Sequence, residues 1–284
     1  TDSAPTPPLR MKKNLTLVVS ASITIGVLVT IMAIVTIMNL HRWVNDDQSE
    51  MVQNLAHTIA HAVEDELADI DYVLLVSADE IERQISARQD TYESVTTFLG
   101  RQQDRFSSID LLRATNPQGE TIYGRGVEPT ERASLAQRDY FRQLQENPNL
   151  GMVIAEPIIG KISQKWIWLM ARRINNPDQS FAGLVYASIF VDDLSKRFAQ
   201  FNLVSGGEII LRDRNMHVVA GTTFGATPQA LPIGDNRVSE ELQKALDQGS
   251  LHGTYTSASA AAEGVSRIHA YHRSAKYGFT VLVG

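Results

Sequence analysis

The sequence contains no cysteine. Disulfides and thiolate metal sites are therefore excluded, a composition compatible with a periplasmic setting, where disulfides form but are not required. A basic stripe is also missing. Asp and Glu outnumber Lys and Arg by 32 to 26, for a net charge of −6, and nucleic acid is not an expected partner. Catalytic signatures are absent too: no Gly-rich phosphate cradle, no Gly-x-Ser-x-Gly nucleophile and no His/Asp cluster at metal spacing. The chain is expected to have no catalytic residues, no metal and no cofactor, and not to be an enzyme itself.

One long segment lacks charge altogether. From Leu15 to Leu40 run 26 uncharged, mostly apolar residues. As a helix this run is about 39 Å long, enough to cross a hydrocarbon core of about 30 Å with some tilt. It is too long for the apolar core of a signal peptide and leads into His41, Arg42 and Trp43 instead of a small-residue cleavage site. Arg10, Lys12 and Lys13 precede it, while Asp46, Asp47 and Glu50 follow it. The positive flank predicts an N-terminus in the cytoplasm and an exported remainder, with Trp43 at the outer interface.

A second pattern begins beyond the span. Leu55, Ile59, Val63, Leu67, Ile70, Leu74, Ile81 and Ile85 recur at helical spacing. This stripe must bury against a partner helix, the domain behind it, or both, and a parallel homodimer through the helix is expected. His57 and His61 sit at i and i+4, a spacing suited to two metal ligands. With no third ligand evident, a solvated helix face is the expected reading.

After Thr91 the pattern changes to short strands and turns. Ile109–Ala114, the turn Asn116-Pro117-Gln118-Gly119 and Glu120–Tyr123 form one strand–turn–strand unit; Glu208–Gly221 forms another. The two share Leu-Arg-x-x-Asn at Leu112, Arg113 and Asn116 and at Leu211, Arg212 and Asn215. Each is followed by an apolar closing strand, Gly183–Val191 and Gly278–Val283. This weak repeat predicts two similar α/β modules in tandem. The break falls near Phe201–Gly207, and Thr222–Asn236 and Ser257–Gly264 read as surface loops. The fold class is thus α/β (α+β): residues 1–14 a cytoplasmic tail, 15–40 a transmembrane helix, 41–90 a long signalling helix, 91–201 a membrane-distal module and 202–284 a membrane-proximal one.

Strand alternation then suggests a pocket. On Lys165–Arg173, Trp166, Trp168, Met170 and Arg172 share one face; Ile167, Leu169 and Ala171 share the other with Arg173. On Gly183–Val191, Tyr186, Ser188 and Phe190 oppose Val185, Ala187 and Ile189. The small aliphatic faces are expected to pack on the long helix. Trp168, Arg172, Tyr186 and Ser188 are expected to line a small-molecule site.

Arg138-Asp139-Tyr140-Phe141, Glu156-Pro157, Trp166 through Arg173 and Phe181-x-Gly183 resemble the double Cache (PDC-type) sensor domains of bacterial receptors, over about Trp43 to Gly284. The resemblance implies two PAS-like antiparallel-sheet modules, with the ligand in the distal one. It adds Arg138, Tyr140, Phe141 and Arg142 to the ligand-binding set. In the amino-acid-binding branch, a Tyr-x-Asp and a final Asp hold the ligand's ammonium. This sequence has Ile158 and Gly160 at the first and Ser188 at the second. Arginines without a carboxylate partner favour a small organic anion over an α-amino acid. The resemblance further implies a bacterial inner-membrane receptor with a periplasmic sensor. It would regulate an intracellular output beyond Gly284, most directly cyclic di-GMP turnover by a GGDEF or GGDEF–EAL protein. A sensor histidine kinase and a methyl-accepting chemoreceptor are the alternatives.

Overall fold

The computed structural model describes residues 9–128, 132–201, 203, 206–225, 231–257 and 267–284, with side chains in the first helix for 26–38 and from 48 onward. Residues 1–8 of the expected tail (residues 1–14), the side chains of Arg10, Lys12, Lys13, His41, Arg42, Trp43, Asp46 and Asp47, and parts of the expected loops (202, 204–205, 226–230 and 258–264) lie outside the described residues. The chain divides into two compact units, Thr1–Met51 and Val52–Gly284. Helix α1, Leu9–Ala87, contributes to both.

In the first unit, the large apolar side chains between Val27 and Met38 are all 50–72% exposed. Thr30 and Thr36 donate their hydroxyls to the carbonyls of Gly26 and Met32 (2.9 and 2.8 Å), so neither hydroxyl needs an outside partner. Among the described residues no helix is long and apolar enough to cross a membrane. The ends of the Leu15–Leu40 run fall outside that description.

In the second unit, α1 buries Ile59, Val63, Leu67, Ile70, Leu74 and Ile81, together with the small residues Ala56, Ala60 and Ala78. Leu55 and Ile85 are partly buried against the same cluster. The stripe packs on the chain's own sheets, so the domain behind it is the surface it covers. Helix α2, Tyr92–Arg105, follows, its start capped by Thr91, whose hydroxyl accepts from the Ser94 amide at 3.2 Å.

The first sheet is wholly antiparallel. It comprises β1 (Leu111–Thr115), β2 (Thr121–Gly124), β3 (Val153–Ile154), β4 (Ile158–Ile159), β5 (Trp166–Asn175) and β6 (Phe181–Phe190). Its order is β2-β1-β6-β5-β3, with β4 also pairing β5. Helix α3 (Asp139–Glu146) lies between β2 and β3 in the chain, and α4 (Val191–Phe198) follows β6. The second sheet has β7 (Glu208–Arg212), β8 (Val218–Thr223), β9 (His252–Ser257), β10 (Arg267–Arg273) and β11 (Thr280–Val283) in the order β8-β7-β11-β10-β9, with α5 (Glu240–Leu246) between β8 and β9 in the chain. In both sheets a hairpin pairs with the last strand, which pairs with the strand before it.

The shared sequence motif is two residues out of step with this structural repeat. Asn116 Oδ1 accepts from the Gln118 and Glu120 amides (3.0 and 2.9 Å); Asp213 Oδ1 accepts from the Asn215 and His217 amides (both 2.8 Å). Asn116 therefore corresponds to Asp213, not to Asn215. A slip of two leaves inside and outside unchanged, so the module pattern survives the misalignment. Asn215 instead reaches back to the first module, donating to Glu156 at 2.8 Å.

Gly183, in the Phe181-x-Gly183 motif, has a structural reason to be glycine. Its φ is +142°, and a Cβ there would strike the Thr115 carbonyl of the neighbouring strand. Beside it, Leu184 donates its amide to Thr115 Oγ1 at 3.0 Å.

Candidate ligand pocket

The two faces of the first sheet separate two hydrophobic clusters. Leu112, Ala114, Trp168, Met170, Val185, Ala187 and Ile189 join α1 and α2 on one side. On the other, Ile167, Leu169, Ala171, Leu184 and Tyr186 meet Leu135 and the α3 residues Tyr140, Phe141 and Leu144. On this second side a hollow open to solvent, with a cavity volume of about 30 Å³, lies between the sheet, the start of α3 and the β4–β5 turn. Ser188, Tyr186 and Arg113 rise from the sheet, Arg138 and Tyr140 from α3, and Lys161 from the turn.

The register explains which residues reach it. Leu169 pairs with Ser188 and Ala171 with Tyr186, whereas Trp168 pairs with Ile189 and Arg172 with Val185. Directly opposed residues share a face, so Trp168 and Arg172 lie on the helix side. Tyr186 and Ser188 of β6 face the hollow, whereas the two faces of β5 are the reverse of those expected, because Trp166–Arg173 is apolar on both faces and alternation alone does not say which face is inward. Trp168 is buried in the helix-side core. Arg172 donates through Nε to Asp71 of α1 at 2.6 Å.

Of the four residues added by the resemblance, two line the hollow and two do not. Arg138 and Tyr140 line it. Phe141 is buried edge-on to Phe181, with ring centroids 5.4 Å apart, and Arg142 is exposed and paired with Asp139 one turn away. Ile158, Gly160 and Ser188, the three positions lacking the acidic pattern, all border the hollow. Arg113 and Lys161 also line it but were not singled out. Arg113 sits in the repeat motif, and the only signal for Lys161 was its place in a Gly-Lys turn.

The hollow is electropositive and partly unsatisfied. Arg113, Arg138 and Lys161 border it, and among the described residues no Asp or Glu does. Arg113 is committed to the Arg125 carbonyl (2.9 and 3.2 Å) and Lys161 to the Ser134 carbonyl (2.7 Å). Among the described residues Arg138 makes a single long 3.4 Å contact, to the Ile159 carbonyl, and its Nε is buried without a partner, as are the hydroxyls of Tyr140 and Ser188. Each such group costs about 1–3 kcal/mol if left unmet. Tyr186 shares a 3.0 Å hydrogen bond with Thr121. Burial raises both phenol pKa values, that of Tyr140 further through its neighbour Tyr186, so both remain neutral. The arrangement offers donors and positive charge, with no carboxylate among the described residues to receive an ammonium.

Known structures share this architecture. The extracellular domain of the putative histidine kinase rpHK1S-Z16 is 25% identical, with a TM-score of 0.68 over 82% of this chain and 92% of that one. The periplasmic sensory domain of the Campylobacter jejuni chemoreceptor Tlp1 is 9% identical, with a TM-score of 0.65 over 84% and 95%. The ligand-binding domain of Mlp24 with asparagine is 12% identical, with a TM-score of 0.58 over 82% and 90%. Among curated proteins none matches the sequence. Residues 37–284 match the Cache domain family dCache_1, and the chain belongs to that family.

Proposed function

We propose that this chain is the extracytoplasmic sensing region of a bacterial inner-membrane receptor that binds a small organic carboxylate in the hollow of its first module. The observation that carries this reading is the lining: among the described residues it has three cationic side chains, no acid, and buried donors at Arg138, Tyr140 and Ser188 that lack partners. A carboxylate would satisfy those donors through charge-assisted bonds, whereas an α-amino acid would bring an ammonium with no counter-charge. Titration of the chain with a panel of small mono- and dicarboxylates against amines and neutral amino acids tests it. Binding confined to the amines or amino acids would overturn the electrostatic argument.

The Leu15–Leu40 run and its charge asymmetry support a single span with the N-terminus inside. A periplasm-dependent reporter fused after Gly284 is expected to be active and a cytoplasm-dependent one silent; the reverse pattern would invert the orientation.

A parallel homodimer is proposed along α1. Because the Leu55–Ile85 stripe is occupied by the chain's own core, the contact belongs to the outward face, where Tyr72 and Leu75 are exposed. Single substitutions Tyr72→Cys and Leu75→Cys are expected to cross-link in membranes, and Leu67→Cys and Ile70→Cys are not. Cross-linking at none of the four would remove α1 from the interface.

Regulation of cyclic di-GMP turnover is the output favoured by the RDYF and WIWLMARRI motifs. The likeness to the histidine kinase ectodomain favours a second reading, control of phosphoryl transfer. Ligand addition to cells should change cyclic di-GMP in the first case. Ligand-dependent phosphorylation with unchanged cyclic di-GMP supports the second.

A further inference from the structure

Four of the seven histidines converge at one place. His57 and His61 stand one turn apart on α1, their ring centroids separated by 4.3 Å. His272, on β10 of the second sheet, faces both rings at 5.0 and 5.7 Å. His252 is the cross-strand partner of His272 on β9 and stacks on it at 6.1 Å. Ligand nitrogens of His57, His61 and His272 all lie within 4.8 Å of one another. A tetrahedral ion with Zn–N bonds of about 2.0–2.1 Å needs them about 3.3 Å apart. His57 and His61 are exposed and His272 half-buried, so ring rotation can close that difference without moving the backbone.

We propose that His57, His61 and His272 bind a divalent transition ion of the zinc class, with His252 or water completing the tetrahedron. The donor set is suited to this. Imidazole nitrogens favour zinc and its transition-metal neighbours over calcium or magnesium, which prefer oxygen. Glu64 lies 3.4 Å from His61 Nδ1, the carboxylate–imidazole contact that orients a ligating histidine and leaves Nε2 for the metal. The ion would join α1 directly to the second sheet. Occupancy would thereby couple the helix to the module without using the pocket in the first sheet.

The absence of cysteine leaves no competing thiolate, so the full chain, without a histidine tag, can be loaded with Co²⁺ as a spectroscopic stand-in for Zn²⁺. One equivalent per chain is expected, with the intense visible bands of a tetrahedral ion, displaced by Zn²⁺, and a rise of a few degrees in melting temperature. His272→Gln is expected to abolish uptake, and the pair His57→Gln and His61→Gln to do the same. All variants should melt like the parent without metal, which separates ligation from folding. His217→Gln, at a second acidic cluster formed by Glu156, Asp213 and His217, should leave uptake intact. No uptake by the parent, uptake indifferent to His272→Gln, or uptake lost with His217→Gln overturns the proposal.

Discussion

Arg138→Ala is expected to abolish carboxylate-dependent stabilisation while leaving the unliganded melting point nearly unchanged, and Arg172→Ala is expected to do the reverse. A ligand at about 100 times its dissociation constant stabilises the folded chain by about 2.7 kcal/mol. For a domain of this size that is a melting shift of about 5–10 °C. Arg138 borders the hollow with a buried, unpartnered Nε and a single long contact, so its removal sacrifices little that the unliganded protein uses. Arg172 is on the opposite face, bonded to Asp71 across the sheet–helix contact. The pair is part exposed, with side chains 21% and 27% accessible, so solvent screening limits its worth, and its loss should cost about 1–2 kcal/mol. Thermal melts of both variants, with and without ligand, give four numbers. A ligand shift that survives Arg138→Ala would remove that residue from the site, and a shift lost with Arg172→Ala would place the ligand on the wrong side of the sheet for this reading.

Gly183→Ala is expected to be the most destabilising single methyl addition in the first module. The backbone there holds φ at +142°, which side chains rarely adopt, and the added Cβ would meet the Thr115 carbonyl. Strain of this kind costs about 1–3 kcal/mol, and the clash adds displacement of a strand whose Thr115 side chain also serves Leu184. A total of about 3 kcal/mol or more corresponds to a loss of roughly 6–12 °C in melting temperature. Gly249→Ala supplies the comparison. It also has positive φ, +75°, but no atom lies within 4 Å of the position its Cβ would take. Its cost should be the backbone term alone, about 1 kcal/mol. Equal losses at the two positions would show that the contact with β1 contributes nothing.

Periodicity alone determined a good deal about this protein. The α1 stripe is buried along its length, because a helix with one continuous apolar face can only satisfy it by packing. The two strand–turn–strand units with late closing strands fold into sheets of one topology. The family resemblance carried by RDYF, Glu156-Pro157 and the Phe181-x-Gly183 motif agrees with the family match. On β6, aliphatic residues alternate with Tyr186, Ser188 and Phe190, and Val185, Ala187 and Ile189 face the helix as alternation implies.

Tertiary structure decided what alternation left open. The β5 segment is apolar on both faces, so its inward side was set by pairing with β6, and that pairing put Trp168 and Arg172 against α1. The partner of Arg172 is Asp71, 101 residues earlier in the chain, and no local pattern links the two. A still greater distance in sequence hid the environment of His57 and His61. As an i, i+4 pair on a helix they resemble any solvated face, and the residues that change their meaning, His252 and His272, arrive only when the second sheet folds back onto α1. Local spacing encodes which side of an element is apolar. Which elements then face each other, and so which polar side chains converge, depends on contacts between segments far apart in the chain.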